Sequence, residues 1–142
     1  MSMNMKCPIC DRIARYKKGG DPDVVKEFKQ SILIIGANQH FRGYAILLLK
    51  RHVREPHQLA SAAQRQLFDE LMTAGDAIWR CFKPWKLNYA CLGNEVPHTH
   101  WHIIPRYKKG PAPWLVGKFT SGNKAFEKNR QELVKKLRGF LK

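Results

Sequence analysis

The sequence predicts a single α+β domain built on an antiparallel sheet. The chain has 142 residues, enough for one ordinary hydrophobic core and too few for two. Its apolar segments follow the order strand, strand, helix, strand, strand, helix. Strands that follow one another without a helical crossover pair antiparallel, so this order favours an α+β fold over a parallel sheet.

The first two predicted strands form a hairpin. Residues 28–35 end in a β-branched run before Gly36, and residues 44–50 form a second apolar run. Asn38 and Gly43 supply turn residues between them. Both runs are almost wholly apolar, so we expect these strands to be buried on both faces.

A long helix is predicted to begin at Ser61, which forms a capping-box pattern with Gln64, and to end at Lys83-Pro84. Further strands are predicted at 87–92 and 99–104, and a last helix from about residue 124. The apolar stripe of the long helix has the spacing of one helical face and consists of Leu67, Phe68, Leu71, Ile78, Trp79 and Phe82.

Charge is the most unusual feature of the composition. There are 26 Lys and Arg residues against 11 Asp and Glu residues, a net charge of +15. Such a surface attracts anions, whether nucleic acid, anionic lipid or small polyphosphates. The longest apolar run, residues 44–49, is far too short to cross a bilayer, and residues 1–12 lack a signal-peptide pattern. We therefore expect a cytoplasmic protein that does not act at membranes.

Three histidines in alternation are the strongest chemical signal. Successive side chains of a strand point to opposite faces, so His98, His100 and His102 would project from one face, roughly 7 Å apart. Buried imidazoles need hydrogen-bond partners or a metal. The pattern suits three chemistries: a catalytic zinc, a covalent imidazole nucleophile, or a cradle for phosphate oxygens.

The wider context resembles the histidine triad (HIT) family of nucleotide hydrolases and transferases. The triad is followed by Ile103-Ile104, preceded by the stretch 87–97, and accompanied by Cys7-x-x-Cys10 and by residues 47–52 (Leu-Leu-Leu-Lys-Arg-His). The resemblance covers roughly residues 6–114. It implies a HIT-like α+β fold, with an antiparallel sheet of about five strands and two main helices, as one domain over residues 1–142.

The resemblance also implies residue roles. His100 would be the nucleophile that attacks the α-phosphorus of a nucleotide, and the carbonyl of His98 would fix its tautomer. His102 and Asn88 would hold a phosphate oxygen. The sequence departs from the family pattern at Glu95, where some relatives have Ser, and at Tyr44, where many have His. The substrate-binding set expected from the resemblance is Asn88, Asn94, Glu95, His102 and Tyr44.

Cys7 and Cys10 have the spacing of half a zinc site, although a redox pair or two buried thiols are alternatives. A subset of HIT proteins completes such a pair with two histidines. In this sequence those residues are His52 and His98, giving a structural Cys2His2 zinc, with His57 as a substitute for His52.

The resemblance implies a homodimeric phosphohydrolase acting on dinucleoside polyphosphates or nucleoside phosphoramidates. Trp114 would contact a base or a second copy of the chain. Alternatives are a zinc-containing nucleic-acid-binding module, a deadenylase of adenylylated nucleic-acid ends, and a catalytic zinc hydrolase that uses His98 and His100. Basic residues expected to bind outer phosphates are Lys50, Arg106, Lys108 and Lys109.

Overall fold

A computed structural model describes residues 6–109 and 129–141 and contains a five-stranded antiparallel sheet of order β1-β2-β3-β5-β4. The α+β prediction is confirmed. The helices are α1 (Pro8–Gly19), α2 (Ser61–Phe82) and α3 (Arg130–Arg138), with a short 3-10 helix at Pro56–Gln58. The strands are β1 (Val24–Glu27), β2 (Ser31–Ile35), β3 (Ala45–Leu49), β4 (Lys86–Ala90) and β5 (His100–Arg106).

The sequence patterns missed two elements and misplaced some boundaries. Helix α1 and strand β1 were not predicted. Residues 28–35 do not form one strand, because the amide of Phe28 bonds the carbonyl of Ser31 at 2.8 Å and closes a turn before β2. Strand β5 begins at His100 rather than at residue 99, and runs on to Arg106. Trp114 and the expected start of the last helix lie outside the described residues.

The start of α2 differs from its prediction. Ala60 is the N-cap and Ser61 is already helical, so the predicted capping box is absent. The side-chain amide of Gln64 instead donates to the carbonyl of Leu59 at 2.7 Å. The apolar stripe is also only partly buried: Phe68 is 59% exposed and Trp79 is 46% exposed, whereas the other four members are buried.

The sheet has two differently covered faces. Helices α2 and α3 pack on the face that carries Leu33, Leu47 and Ile103, and this packing forms the main core. Helix α1 packs through Ile9 and Ile13 on the opposite face, against residues of β2 and β3. No helix in the described part of the chain is long and apolar enough to cross a membrane.

Candidate active site and metal centre

The register of β5 places His100 and His102 on the face that α1 covers. His100 pairs with Leu48 and His102 with Ile46, and residues paired across antiparallel strands point to the same side. The two rings lie edge to face with centroids 5.0 Å apart. His98 precedes the strand in a bend, so only two of the three histidines alternate within β5.

A backbone carbonyl fixes the proton position in His100. Its Nδ1 lies 2.6 Å from the carbonyl oxygen of His98. A carbonyl can only accept, so Nδ1 carries the proton and the lone pair of the neutral ring sits on Nε2. His100 is 9% exposed, so its ring is largely shielded from solvent.

His102 has a buried hydroxyl as its partner. The Oη atom of Tyr44 lies 2.7 Å from Nδ1 of His102, and the two rings are nearly parallel. Burial, together with the proximity of His100, lowers the pKa of His102 to about 4. Burial raises the pKa of Tyr44. Both groups are therefore neutral at pH 7.

Four potential metal ligands meet where α1 approaches the end of β3. The ligand atoms of Cys7, Cys10, His52 and His98 all lie within 4.8 Å of one another. His98 Nδ1 is 3.1 Å from His52 Nδ1 and 3.5 Å from each sulfur, and His52 Nδ1 is 3.2 Å from Cys10 Sγ. In a tetrahedron with zinc-like bond lengths these atoms would be roughly 3.3–3.8 Å apart. The cluster therefore fits one zinc-sized ion.

The proton of His98 also fits a metal site. Its Nε2 lies 2.7 Å from the carbonyl oxygen of Leu49, so Nε2 donates and Nδ1 is left with a lone pair facing the cluster. His57, the alternative ligand, is exposed in the 3-10 helix and is not in the cluster. Neither is His100, so no cluster of three or more ligand residues in the described part of the chain contains both His98 and His100.

A polar pocket of about 270 Å³ opens beside His100. Its walls include Arg54 and Glu55, which sequence reasoning missed. They reach the site because the amide and hydroxyl of Thr99 both bond the carbonyl of Val53, at 2.8 and 2.7 Å, and tie this loop to the start of β5. Cys91 is half-buried and also lines the pocket.

The expected substrate-binding residues are only partly brought together. Asn94 lines the pocket with His100, whereas Glu95 is exposed and is not part of its wall. Asn88 pairs with Ile104, which puts it on the same face as His102. Tyr44 is 2% exposed and its hydroxyl bonds His102, so it is buried behind the ring of His102.

The four basic residues expected near the outer phosphates do not form a group around His100. Lys50 bonds Glu27 at 2.7 Å and lines a different cleft, of about 560 Å³, between α1 and residues 50–52. Arg106 is 1% exposed and its guanidinium lies over the ring of Phe41. Lys108 and Lys109 are exposed, and neither is in the wall of the His100 pocket.

The chain is similar to a known protein family. The family model of the HIT domain matches residues 18–109. The chain belongs to the HIT family. Members of this family are generally nucleotide hydrolases or transferases. The HIT chain described here is 29% identical over 110 residues to the "Protein hit" of Bacillus subtilis strain 168, an alignment that covers 73% of both chains.

Solved HIT structures share the fold. A histidine triad protein from Bradyrhizobium japonicum superposes with a TM-score of 0.76 at 26% identity, covering 91% of this chain and 96% of that one. A zinc-bound histidine triad family protein from Mycobacterium smegmatis superposes with a TM-score of 0.68 at 18% identity, covering 96% of this chain and 94% of that one. This second comparison shows a common fold, while the metal is a property of the relative.

Proposed function

We propose that this HIT protein is a nucleotide phosphohydrolase or nucleotidyl transferase that works through a covalent nucleotidyl-His100 intermediate. The observation that carries the proposal is the 2.6 Å hydrogen bond from Nδ1 of His100 to the carbonyl of His98. In this tautomer the lone pair of the neutral ring is on Nε2. The imidazole can therefore attack phosphorus without first losing a proton.

The reaction has two displacement steps. In the first, Nε2 of His100 attacks the α-phosphorus, an N–P bond forms, and the bond to the leaving group breaks. The leaving group departs with that electron pair and takes up a proton. In the second, water attacks the same phosphorus, loses a proton, and releases the nucleoside monophosphate from His100. His102 and Asn88 face the same side of the sheet and donate to the phosphate oxygens, whose charge grows in each transition state.

We expect the substrates to be dinucleoside polyphosphates or nucleoside phosphoramidates. Arg54 and Asn94 in the wall of the pocket beside His100 support an anionic or polar leaving group. An adenylylated nucleic-acid end remains a second candidate, because the net charge of +15 favours a polyanionic leaving strand.

Turnover of a small panel tests the proposal. Purified protein is incubated with diadenosine tetraphosphate, adenosine 5′-phosphoramidate and an adenylylated DNA oligonucleotide, and the products are separated by chromatography. An alkaline quench followed by mass spectrometry should reveal one adenylyl group on the peptide that contains His100. Release of AMP without this adduct under single-turnover conditions would contradict the covalent route. Failure to release AMP from all three would contradict the proposed activity.

The metal site fits a structural zinc held by Cys7, Cys10, His52 and His98. Four protein ligands fill a tetrahedron, which leaves no position for substrate or water. Zinc bound there would join α1 to the segment that carries the catalytic histidines. This chain's own contribution is the carbonyl of His98, which orients His100 while the ring of the same residue faces the metal site.

An exposed apolar face supports a homodimer. Met72 and Trp79 of α2, with Trp85 and Tyr89 at strand β4, are all more than a third exposed and surround a shallow pocket of about 430 Å³. Strand β4 is an edge of the sheet. Apolar patches of this kind on a small protein mark interaction surfaces, and a two-fold pair of such faces buries both at once.

A further inference from the structure

The contact between Tyr44 and His102 joins two buried groups on neighbouring parts of the sheet. The hydroxyl is 2.7 Å from Nδ1 of His102, and the rings stack with an interplanar angle of 13° and a centroid distance of 6.0 Å. Tyr44 directly precedes β3, so the contact is made beside the pairing of Ile46 with His102.

The loop before β3 is built to hold Tyr44 in this place. Gly36 lies against the Tyr44 ring so closely that any β-carbon at that position would collide with it. The buried side chain of Gln39 donates to the carbonyls of Gly36 and Tyr44, both at 2.8 Å, and accepts from the amide of Gly43 at 2.8 Å. These contacts hold the backbone around Tyr44 in place, and the backbone in turn sets the position of the Tyr44 hydroxyl.

The chemistry of the two groups favours one direction for the hydrogen bond. A phenol is a good donor, and the unprotonated nitrogen of a neutral imidazole is a good acceptor. If the hydroxyl donates to Nδ1, the ring proton of His102 sits on Nε2. His102 would then be a neutral donor, in the tautomer opposite to that of His100, whose Nδ1 is protonated.

We propose that Tyr44 is a positioning residue whose hydroxyl donates to Nδ1 of His102, and thereby fixes His102 as the Nε2-protonated donor to a phosphate oxygen of the substrate. The part about the phosphate rests on the proposed function, whereas the hydrogen bond and the tautomer do not. A tyrosine suits this role because it keeps its proton, so it orients His102 without adding a charge.

Nitrogen NMR of the zinc-loaded protein tests the first part without any substrate. In the wild-type spectrum His102 should show a protonated Nε2 and a hydrogen-bonded, unprotonated Nδ1. Tyr44→Phe keeps the ring packing and should move the Nδ1 resonance toward that of an unbonded nitrogen. Tyr107→Phe is the matched control, because its half-buried hydroxyl bonds the carbonyl of Arg42 at 2.6 Å. It should leave both nitrogens of His102 unchanged.

Kinetics with adenosine 5′-phosphoramidate test the second part. Loss of one orienting hydrogen bond should lower kcat of Tyr44→Phe about 10-fold with little change in KM. Tyr107→Phe should keep kcat. A wild-type His102 protonated on Nδ1, or nitrogen resonances that Tyr44→Phe does not move, would overturn the proposal even if turnover is normal. The expected spectra with equal kcat for both variants would overturn its catalytic part. Absence of turnover in the wild type would instead count against the proposed function.

Discussion

Backbone carbonyls select a different nitrogen in each of two neighbouring histidines. His98 donates from Nε2 to the carbonyl of Leu49, and His100 donates from Nδ1 to the carbonyl of His98. The Nδ1 lone pair of the first ring therefore faces the candidate metal ligands, and the lone pair of the second ring is on Nε2, the atom proposed to attack phosphorus. Carbonyls from two separate segments, at Leu49 and His98, thus leave chemically different nitrogens unprotonated in the two rings.

Replacing His100 removes the proposed nucleophile. His100→Gln should lower turnover of adenosine 5′-phosphoramidate by roughly 10⁴-fold, because no other described side chain presents an equivalent nitrogen at that place. His57→Gln is the matched control, since His57 is exposed and lies outside both sites. Initial rates from product chromatography measure the effect. Retention of more than about a tenth of wild-type activity would exclude the covalent route.

The depressed pKa of His102 predicts a pH dependence of stability. It is about 4 in the folded protein and near 6.5 in the unfolded chain. Between these pH values the unfolded state binds a proton that the folded state does not, so stability falls as pH decreases through this window. Full titration of His102 should lower the free energy of unfolding by at most about 3 kcal/mol.

His102→Gln should flatten this part of the stability profile. Urea unfolding at about pH 7 and about pH 4.5 measures the loss of stability in each variant. His57→Gln should behave as wild type. Equal losses for His102→Gln and wild type would show that His102 is not the group that titrates.

Helix α1 is stabilised at its N-terminus by a capping residue. Cys7 is the N-cap, its sulfur accepts from the amide of Cys10 at 3.4 Å, and Pro8 occupies the first turn. The same sulfur faces the metal cluster. The beginning of this helix and the metal site are therefore one structural unit.

Cys7→Ser should lower zinc content, melting temperature and activity together. Structural zinc contributes on the order of 10 kcal/mol of apparent binding free energy, and its loss would release α1 and loosen His98. Elemental analysis of protein purified without chelator and thermal unfolding measure the effects. Cys81→Ala is the control, because this buried thiol lies in α2 and should leave one zinc per chain. A zinc-free wild type, with an unchanged melting temperature for Cys7→Ser, would remove the metal from the interpretation.

Elements with long apolar patterns could be predicted, and those that depend on tertiary contacts could not. Strands β2 and β3 and helix α2 carry strong periodic signals. Helix α1 buries only Ile9, Cys10 and Ile13 within a polar sequence, so its stripe is too thin to recognise. Strand β1 has four residues, of which two are exposed, which is too short a pattern.

The same distinction applies to the site. The alternation of His98, His100 and His102 is local and visible in the sequence. Arg54 and Glu55 lack a local signal, because they reach His100 only through the hydrogen bonds between Thr99 and Val53. Their closeness to His52 along the chain was the one available hint. Lys50 was expected at the phosphates, but its side chain is bound to Glu27 and lines the cleft beside α1.

At the scale of the whole molecule, the candidate catalytic residues and the proposed dimer face lie on opposite sides of the sheet. His100, His102 and the metal cluster lie on the face of α1, and the apolar residues Met72 and Trp79 lie on the outer side of α2. A dimer formed through α2 and β4 would leave the face of α1 open to substrate.

Trp79→Glu should convert the proposed dimer to a monomer, because a charge would be buried opposite apolar side chains. Size-exclusion chromatography with light scattering measures the mass. Arg15→Glu, an exposed change on α1, should leave the dimer intact. A monomeric wild type, or a dimer that persists in Trp79→Glu, would contradict this interface.

The long sequence separation between Cys7 and His98 affects how the candidate metal site forms during biosynthesis. Cys7 and His98 are 91 positions apart. Ribosomes add roughly 5–20 residues each second, so His98 is made about 5–20 seconds after Cys7. Until then the set of four candidate ligands is incomplete, and the two thiols are open to oxidation. Cys7 and Cys10 therefore acquire their complete set of native neighbours only well after they have themselves been synthesised.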